Sequence, residues 1–494
     1  MHDASAAPSG RELRREIRLF DATMLVVGSM IGSGIFIVTP DIARTLGSTG
    51  WLLLLWVLTG AVTLIAATSY GELSAMMPQA GGQYVYLRVI YGPMMGFLYG
   101  WTLFMVIQTG SIAAVGMAFA KYTSLLLPAF SESRVLFSVG ALPVNAAQLL
   151  AIVSVAFLTG LNMFGLRQGK LVQDVFTLAK VGALALLVVA GLALGRNAQA
   201  IAANFHAAGG FWHATRAVVG EGGAVTREAL SGLGLLMALG AASVGSLFAC
   251  DAWNNVTFTA GETVDPRRTI TKALGLGVVI VVALYTLANI VYVTALPLQG
   301  DPQATDTLGR GIQFATADRV GTAAASMILG PVAAVIMAVF IMISTFGCNN
   351  GMILTGARVY YAMAQDGLFF RSTGGLNRRG VPGAALVLQG IWSCALCLSG
   401  KYGDLLDYVI FTVLIFYALS VAGIFILRRR LPHAERPYRA PGYPVLPALY
   451  VIVAVAVCID LLIVKPNYTW PGLIIVALGV PVYLVWRRVA AKPA

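Results

Sequence analysis

The sequence predicts an all-α polytopic membrane protein with 12 transmembrane helices, of which helices 1 and 6 are broken. Three observations predict it. Apolar residues make up 58% of 494 positions and charged residues only 11%, against roughly 25% charged in soluble proteins. The apolar residues fall in runs of about 20, the length that crosses a bilayer as a helix. Glycine and polar residues interrupt two of those runs at matching places. A secreted domain, a soluble enzyme and a disordered regulator are thereby excluded. Gly accounts for 54 residues, as expected where membrane helices pack closely.

Taken in order, the runs place spans at about 21–46, 50–77, 92–127, 145–164, 170–194, 231–260, 270–296, 328–362, 382–400, 404–428, 444–464 and 471–489. The first follows a charged segment, 1–20, with no short apolar core ending in a small-residue cleavage site, so a cleaved signal peptide is not expected. The third and eighth are long enough to tilt strongly. Most connections are short. Two longer ones, about 195–230 and 297–327, fall on the same side of the membrane. The five cysteines all lie in apolar runs, which gives no disulfide framework. Cys394 and Cys397 form a C-x-x-C read as packing, since no other ligand type is near.

Lys and Arg fix the orientation. Connections on the N-terminal side hold about twice as many as those on the other side, so both termini are expected in the cytoplasm. The basic net charge of +12 is then topological and lipid-facing, and no nucleic acid is implied. The expected organisation is a cytoplasmic segment at 1–20, spans one to five at 21–194 and an extracellular loop at 195–230. Spans six to ten follow at 231–428, the last two at 429–489, and a cytoplasmic end at 490–494.

The two breaks carry the chemistry. The first span reads Val27-Gly28-Ser29-Met30-Ile31-Gly32-Ser33-Gly34-Ile35-Phe36, and each glycine weakens a helix by roughly 1 kcal/mol. The sixth reads Ser246-Leu247-Phe248-Ala249-Cys250-Asp251-Ala252-Trp253-Asn254-Asn255, with an acid and two amides at mid-span. Irregular backbone at that depth is tolerated only where it lines a cavity or is buried in protein. Interrupted segments five spans apart point to an inverted-repeat transporter with its substrate at the midplane. A broken helix offers N–H groups at one half's start and C=O groups at the other half's end. Those ends favour an anion and a cation respectively. Two such breaks side by side match an α-amino acid. Its carboxylate would meet the N–H groups of Ser33, Gly34 and Ile35, and its ammonium the carbonyls near Met30, Ile31, Phe248 and Asp251. A plain helix contact through the glycines explains the spacing equally well.

Six stretches in order extend this reading: GSMIGSGIF at 28–36, PQAGGQYVYL at 78–87, QDVFTLAK at 173–180, FACDAWNNVTFTAGETVDPRRTI at 248–270, RVYYAMAQDG at 358–367 and RPYRAPGYPVLP at 436–447. With them the chain resembles the amino acid–polyamine–organocation transporter superfamily, and within it the L-amino-acid exchanger branch. The resemblance implies a LeuT-like five-plus-five inverted repeat with two extra helices, and sodium-independent amino acid exchange by alternating access. It places the substrate carboxylate at Gly32, Ser33 and Gly34 and the amino group around Phe248 and Asp251, with Phe248 as an outer gate. It also puts Lys180 of the fifth span where sodium-driven relatives hold a sodium ion between the first and eighth spans.

A lysine inside a span costs about 2.5–3.5 kcal/mol on insertion scales, so Lys180 needs a purpose. Besides the sodium-substitute role, snorkelling or a pair with Asp174 would supply one. Ser344 and Thr345 read as ordinary bundle hydroxyls rather than sodium ligands. Asp251 departs from the animal exchangers. It can cap or bond internally, take up a proton, or meet the substrate ammonium. Glu72, Glu262 and Asp366 read as interfacial charges, with Arg267 or Arg268 as optional partners of Glu262, and Asp460 pairs with Lys465. Phe104, Gln108, Cys250, Asn349 and Asn350 are candidates for the pocket wall.

Animal relatives of this branch bond a glycoprotein through a cysteine after the third span. The stretch 128–144 has none, so no disulfide-linked heavy subunit is expected, and a prokaryotic plasma membrane is. The four histidines lie outside the spans and no H-E-x-x-H occurs, which argues against an enzyme, a metal or a cofactor. Proton–amino acid symport, a cationic amine substrate, a sensor and a channel remain as alternatives.

Overall fold

A computed structural model describes residues 13–139, 142–206, 210–398 and 402–490 of the chain. The expected ends, 1–12 and 491–494, lie outside them. Among the described residues, eleven helices are long and apolar enough to cross a membrane. The expected ninth span is shorter, Gly383–Cys397, or about 22 Å at 1.5 Å per residue. It packs along the fourth and third spans. All twelve helices are therefore present in the expected order, one of them below the usual crossing length.

Local chemistry sets several boundaries. The fourth span, Ala146–Met163, starts on a capping box in which Asn145 and Gln148 each accept the other's backbone N–H at 2.9 Å. The seventh, Pro266–Ala295, and the eighth, Pro331–Gln365, both open with proline at the first helical position, where a missing N–H costs nothing. The expected first span is too long. It ends at Ile37, and Thr39–Leu46 forms a separate amphipathic helix. The connections carry structure of their own. Gln83–Tyr91 is a helix before the third span. Hairpins pair β1 (Val135–Val139) with β2 (Leu142–Asn145) and β3 (Thr215–Val219) with β4 (Val225–Ala229).

Both expected breaks are present. The first span is a helix over Leu19–Met30, an irregular step, and a short helix over Gly34–Ile37. The sixth is a helix over Gly232–Ala249, then a step at Ala252 in the left-handed region (φ 64°), then a tight 3-10 helix over Trp253–Glu262. Each break opens one group of five spans, as a five-plus-five repeat requires. The seventh span packs along the second and the first, and the eighth along the third and fifth. The two breaks face each other between these groups.

Candidate functional site

At the first break the helix leaves carbonyls without the usual N–H partners, and side chains from three other spans take them. The buried Lys180 ammonium donates to the carbonyls of Gly28 and of Ile31, the latter at 2.7 Å, with the Ser344 carbonyl at 3.4 Å. Its three protons thus have three oxygens. The Ser344 hydroxyl donates to the carbonyls of Ile31 and Gly32, or is shared between them, at 3.1 Å each. Tyr285 donates to Met30 O at 3.0 Å, and the Cys348 thiol to Ser29 O at 3.0 Å. Gly28 makes this possible. A Cβ there would lie 2.0 Å from Gln173 Nε2 and 2.3 Å from Thr177 Oγ1, so only glycine lets the fifth span come close enough to deliver Lys180. The alternative pair with Asp174 is not among the bonds of the Lys180 ammonium. Asp174 Oδ1 is buried with no hydrogen-bond partner, because the lysine points toward the break and away from it. Ser344 is no ordinary bundle hydroxyl, whereas Thr345 bonds only its own helix.

At the second break Asp251 Oδ1 accepts from the Tyr417 hydroxyl at 2.7 Å, and Asn254 Oδ1 lies 2.9 Å from the same hydroxyl. Asn254 Nδ2 continues to Gln83 Oε1 at 2.9 Å, and Gln83 Nε2 to Ser420 at 3.2 Å. A phenol has one proton, so Tyr417 can donate to Asp251 or to Asn254 but not to both at once. Trp253 packs edge-on against Tyr70, with ring centroids 4.8 Å apart, and against Tyr417 at 5.1 Å. The break is thus held by the second and tenth spans and by the helix that precedes the third.

The two breaks touch. A Cβ on Gly34 would stand 2.7 Å from Ala249 Cβ and 2.8 Å from its Cα. Beside this contact lies a cavity of about 20 Å³ whose wall includes Met30, Gly32, Ser33, Gly34, Phe248 and Asp251. Of the other expected contacts, the Ile31 carbonyl is taken by Lys180, Ile35 follows Gly34 in the short half-helix with its side chain buried in the core, and Cys250 lines a second crevice with Asp251, Trp253, Tyr417 and Tyr450. Ser111, Cys348 and Met352 complete the wall and were not expected. Of the expected wall, Gln108 lines a neighbouring crevice that also reaches Asp251. Phe104 packs edge-to-face with Tyr360 and Asn350 bonds Asn162, both away from the cavity. Small-molecule sites occupy roughly 300 Å³ or more, so an amino acid fits here only after the walls part.

A family model described as amino acid permease matches residues 17–484. The chain belongs to the amino acid permease family. The large neutral amino acids transporter small subunit 2 of Mus musculus is 30% identical over 492 residues, covering 99% of this chain and 84% of that one. The b(0,+)-type amino acid transporter 1 of Homo sapiens is 28% identical, covering 99% and 93%. The Asc-type amino acid transporter 1 of Mus musculus is 28% identical, covering 96% and 82%. The chain is a multi-pass membrane protein of amino acid transport.

In this permease both faces of the site are closed. On one side Phe36 lies against Gly321, where a Cβ would meet the Phe36 ring at 2.7 Å. There Arg44 pairs with Asp318 at 2.7 Å and donates to Gln313 O at 2.8 Å. On the other side Glu262 is buried. It takes Arg358 in a two-pronged pair at 2.8 and 3.0 Å, in place of Arg267 or Arg268. Those two pair instead with Glu435 and Asp265. The Glu262 carbonyl accepts from the N–H groups of Glu16 and Ile17 at 2.9 and 3.0 Å, which straps the N-terminal segment to the end of the sixth span. Glu72 pairs with Arg428 at 2.6 Å and Arg436 at 3.5 Å. Asp366 pairs with Arg88 and accepts from Tyr84 at 2.8 Å. Burial and that carboxylate both push the Tyr84 hydroxyl up in pKa, which keeps it a donor. These carboxylates are therefore fastenings between helices rather than interfacial charges. Asp460 Oδ2 is buried without a hydrogen-bond partner.

Proposed function

We propose that this permease exchanges L-amino acids across the plasma membrane without sodium, by alternating access around the two breaks. Lys180 carries the reading. Three backbone carbonyls around one point form an oxygen set suited to a small cation, and an ammonium fills it. A fixed charge in that place stabilises the broken helix with no ion to bind and release. The substrate carboxylate meets the N–H groups of Ser33, Gly34 and Ile35 at the start of the short half-helix. The Ile31, Met30 and Phe248 carbonyls already have donors, so the substrate ammonium goes to the Asp251 carboxylate, under Phe248 as the gate. Positive charge on the N-terminal side supports cytoplasmic termini. The cysteine-free stretch 128–144 supports a chain that works without a disulfide-linked subunit.

A second reading, proton-coupled symport, is favoured by one observation. The single Tyr417 proton lies between two acceptors, and a proton on Asp251 would satisfy both contacts. Uptake of labelled neutral L-amino acid into liposomes separates the two. Exchange requires amino acid inside and ignores sodium and proton gradients. Symport fills empty liposomes when protons flow inward.

A further inference from the structure

The connection between the eighth and ninth spans folds back onto the end of the fourth. Asn377 Nδ2 donates to the Met163 carbonyl at 3.0 Å, and its Oδ1 accepts from the N–H groups of Arg379 at 2.9 Å and Val381 at 3.2 Å. This turn places Arg379, whose guanidinium lies 4.4 Å over the ring of Phe164. Stacking uses the face of the guanidinium and leaves its in-plane donors available. Among the described residues Arg379 forms no ion pair with a carboxylate. Arg378 and Arg167 stand exposed nearby.

Below Arg379 runs a groove of about 640 Å³, walled by Phe157, Gly160, Leu161 and Phe164, with Gln168 at its rim. Phe157 and Phe164 are 59% and 56% exposed, and a Cβ on Gly160 would meet nothing within 4 Å. The fourth span is apolar enough to cross the membrane, so this groove opens to hydrocarbon at its body and to the bilayer surface at its arginine end. Its size is that of a ligand site, and its chemistry is an apolar trough under a fixed cation. An amphiphile with an anionic head matches both parts. A guanidinium binds phosphate through paired N–H groups, and a basic rim disfavours a head that carries its own ammonium.

We propose that this groove binds one anionic phospholipid, with an acyl chain along Phe157 and Gly160 and the phosphate on Arg379. The site is separate from the breaks and independent of the substrate reading. Thermal unfolding of the purified protein in detergent tests it, with phosphatidylglycerol, phosphatidylcholine or inorganic phosphate added. Phosphatidylglycerol is expected to raise the Tm saturably, and the other two are not. Arg379→Gln should weaken the apparent affinity about fivefold, as for loss of one basic contact at a membrane surface. Gly160→Trp, which fills the trough where nothing obstructs it, should abolish the shift. Arg371→Gln, an exposed arginine off the groove, should keep it. Equal shifts with phosphatidylcholine or inorganic phosphate, or a full shift in Arg379→Gln or Gly160→Trp, would overturn the proposal.

Discussion

The Lys180 ammonium stands 2.7 Å from the carbonyl oxygen of Ile31 and shares that oxygen with the Ser344 hydroxyl at 3.1 Å. One side chain from the fifth span and one from the eighth therefore fasten the same turn of the first. Removing the lysine leaves buried carbonyls without a donor, at about 1–3 kcal/mol each. Lys180→Met should lose exchange in liposomes while eluting as a folded monodisperse protein. Wild-type flux from that variant would remove the fastening from the mechanism.

Gly34 is expected to tolerate no side chain, because its Cβ position is 2.7 Å from Ala249. Gly34→Val should abolish amino acid binding measured by equilibrium dialysis or scintillation proximity. Unchanged affinity would show that the two breaks do not form the site.

Glu262 and Arg358 are each almost fully inaccessible and lie 96 residues apart in sequence. Breaking a buried pair by removing one partner costs about 3–5 kcal/mol. Glu262→Gln or Arg358→Met should therefore lower the Tm strongly. The double variant Glu262→Leu with Arg358→Met should be less destabilised than the sum of the two changes. Additive losses would mean that the pair contributes nothing as a pair.

Tyr417 donates to Asp251 at 2.7 Å, and on the proposed reading an arriving substrate ammonium replaces that bond. Tyr417→Phe removes that competitor, and hydrogen bonds to charged groups contribute about 1.5–3 kcal/mol. Binding of a neutral L-amino acid should tighten about tenfold or more, with slower exchange because the substrate is held. Equal affinity in the variant would show that Tyr417 does not compete for Asp251.

The fold and the breaks were legible in the sequence because membrane burial penalises irregularity. Glycines in series and an acid amid apolar residues have no cheap place except a cavity. Lys180 was legible for the same reason, but its partner atoms were not. Asp174 is the nearest acid in sequence, yet the ammonium reaches backbone carbonyls, which no sequence pattern marks. Glu262 appeared as an interfacial charge, because nothing local records that its helix end meets Arg358, 96 residues on. Cys250 was misplaced because a break resets the helical phase, and residues just past Phe248 cannot be assigned a face by counting. Tyr417 looks like any aromatic in a span. Its one signal is a hydroxyl that must find a partner when buried.

Counterflow in liposomes tests the central claim most directly. The protein would be reconstituted with unlabelled neutral L-amino acid inside and labelled amino acid outside, in sodium or in choline buffer, for the wild type and for Lys180→Ala. Wild-type exchange should be equal in the two buffers and absent without internal amino acid. The variant should be inactive in choline and recover in part in sodium, which can enter the oxygens left by the ammonium. Wild-type uptake that depends on sodium would contradict the assignment of Lys180 as the resident cation.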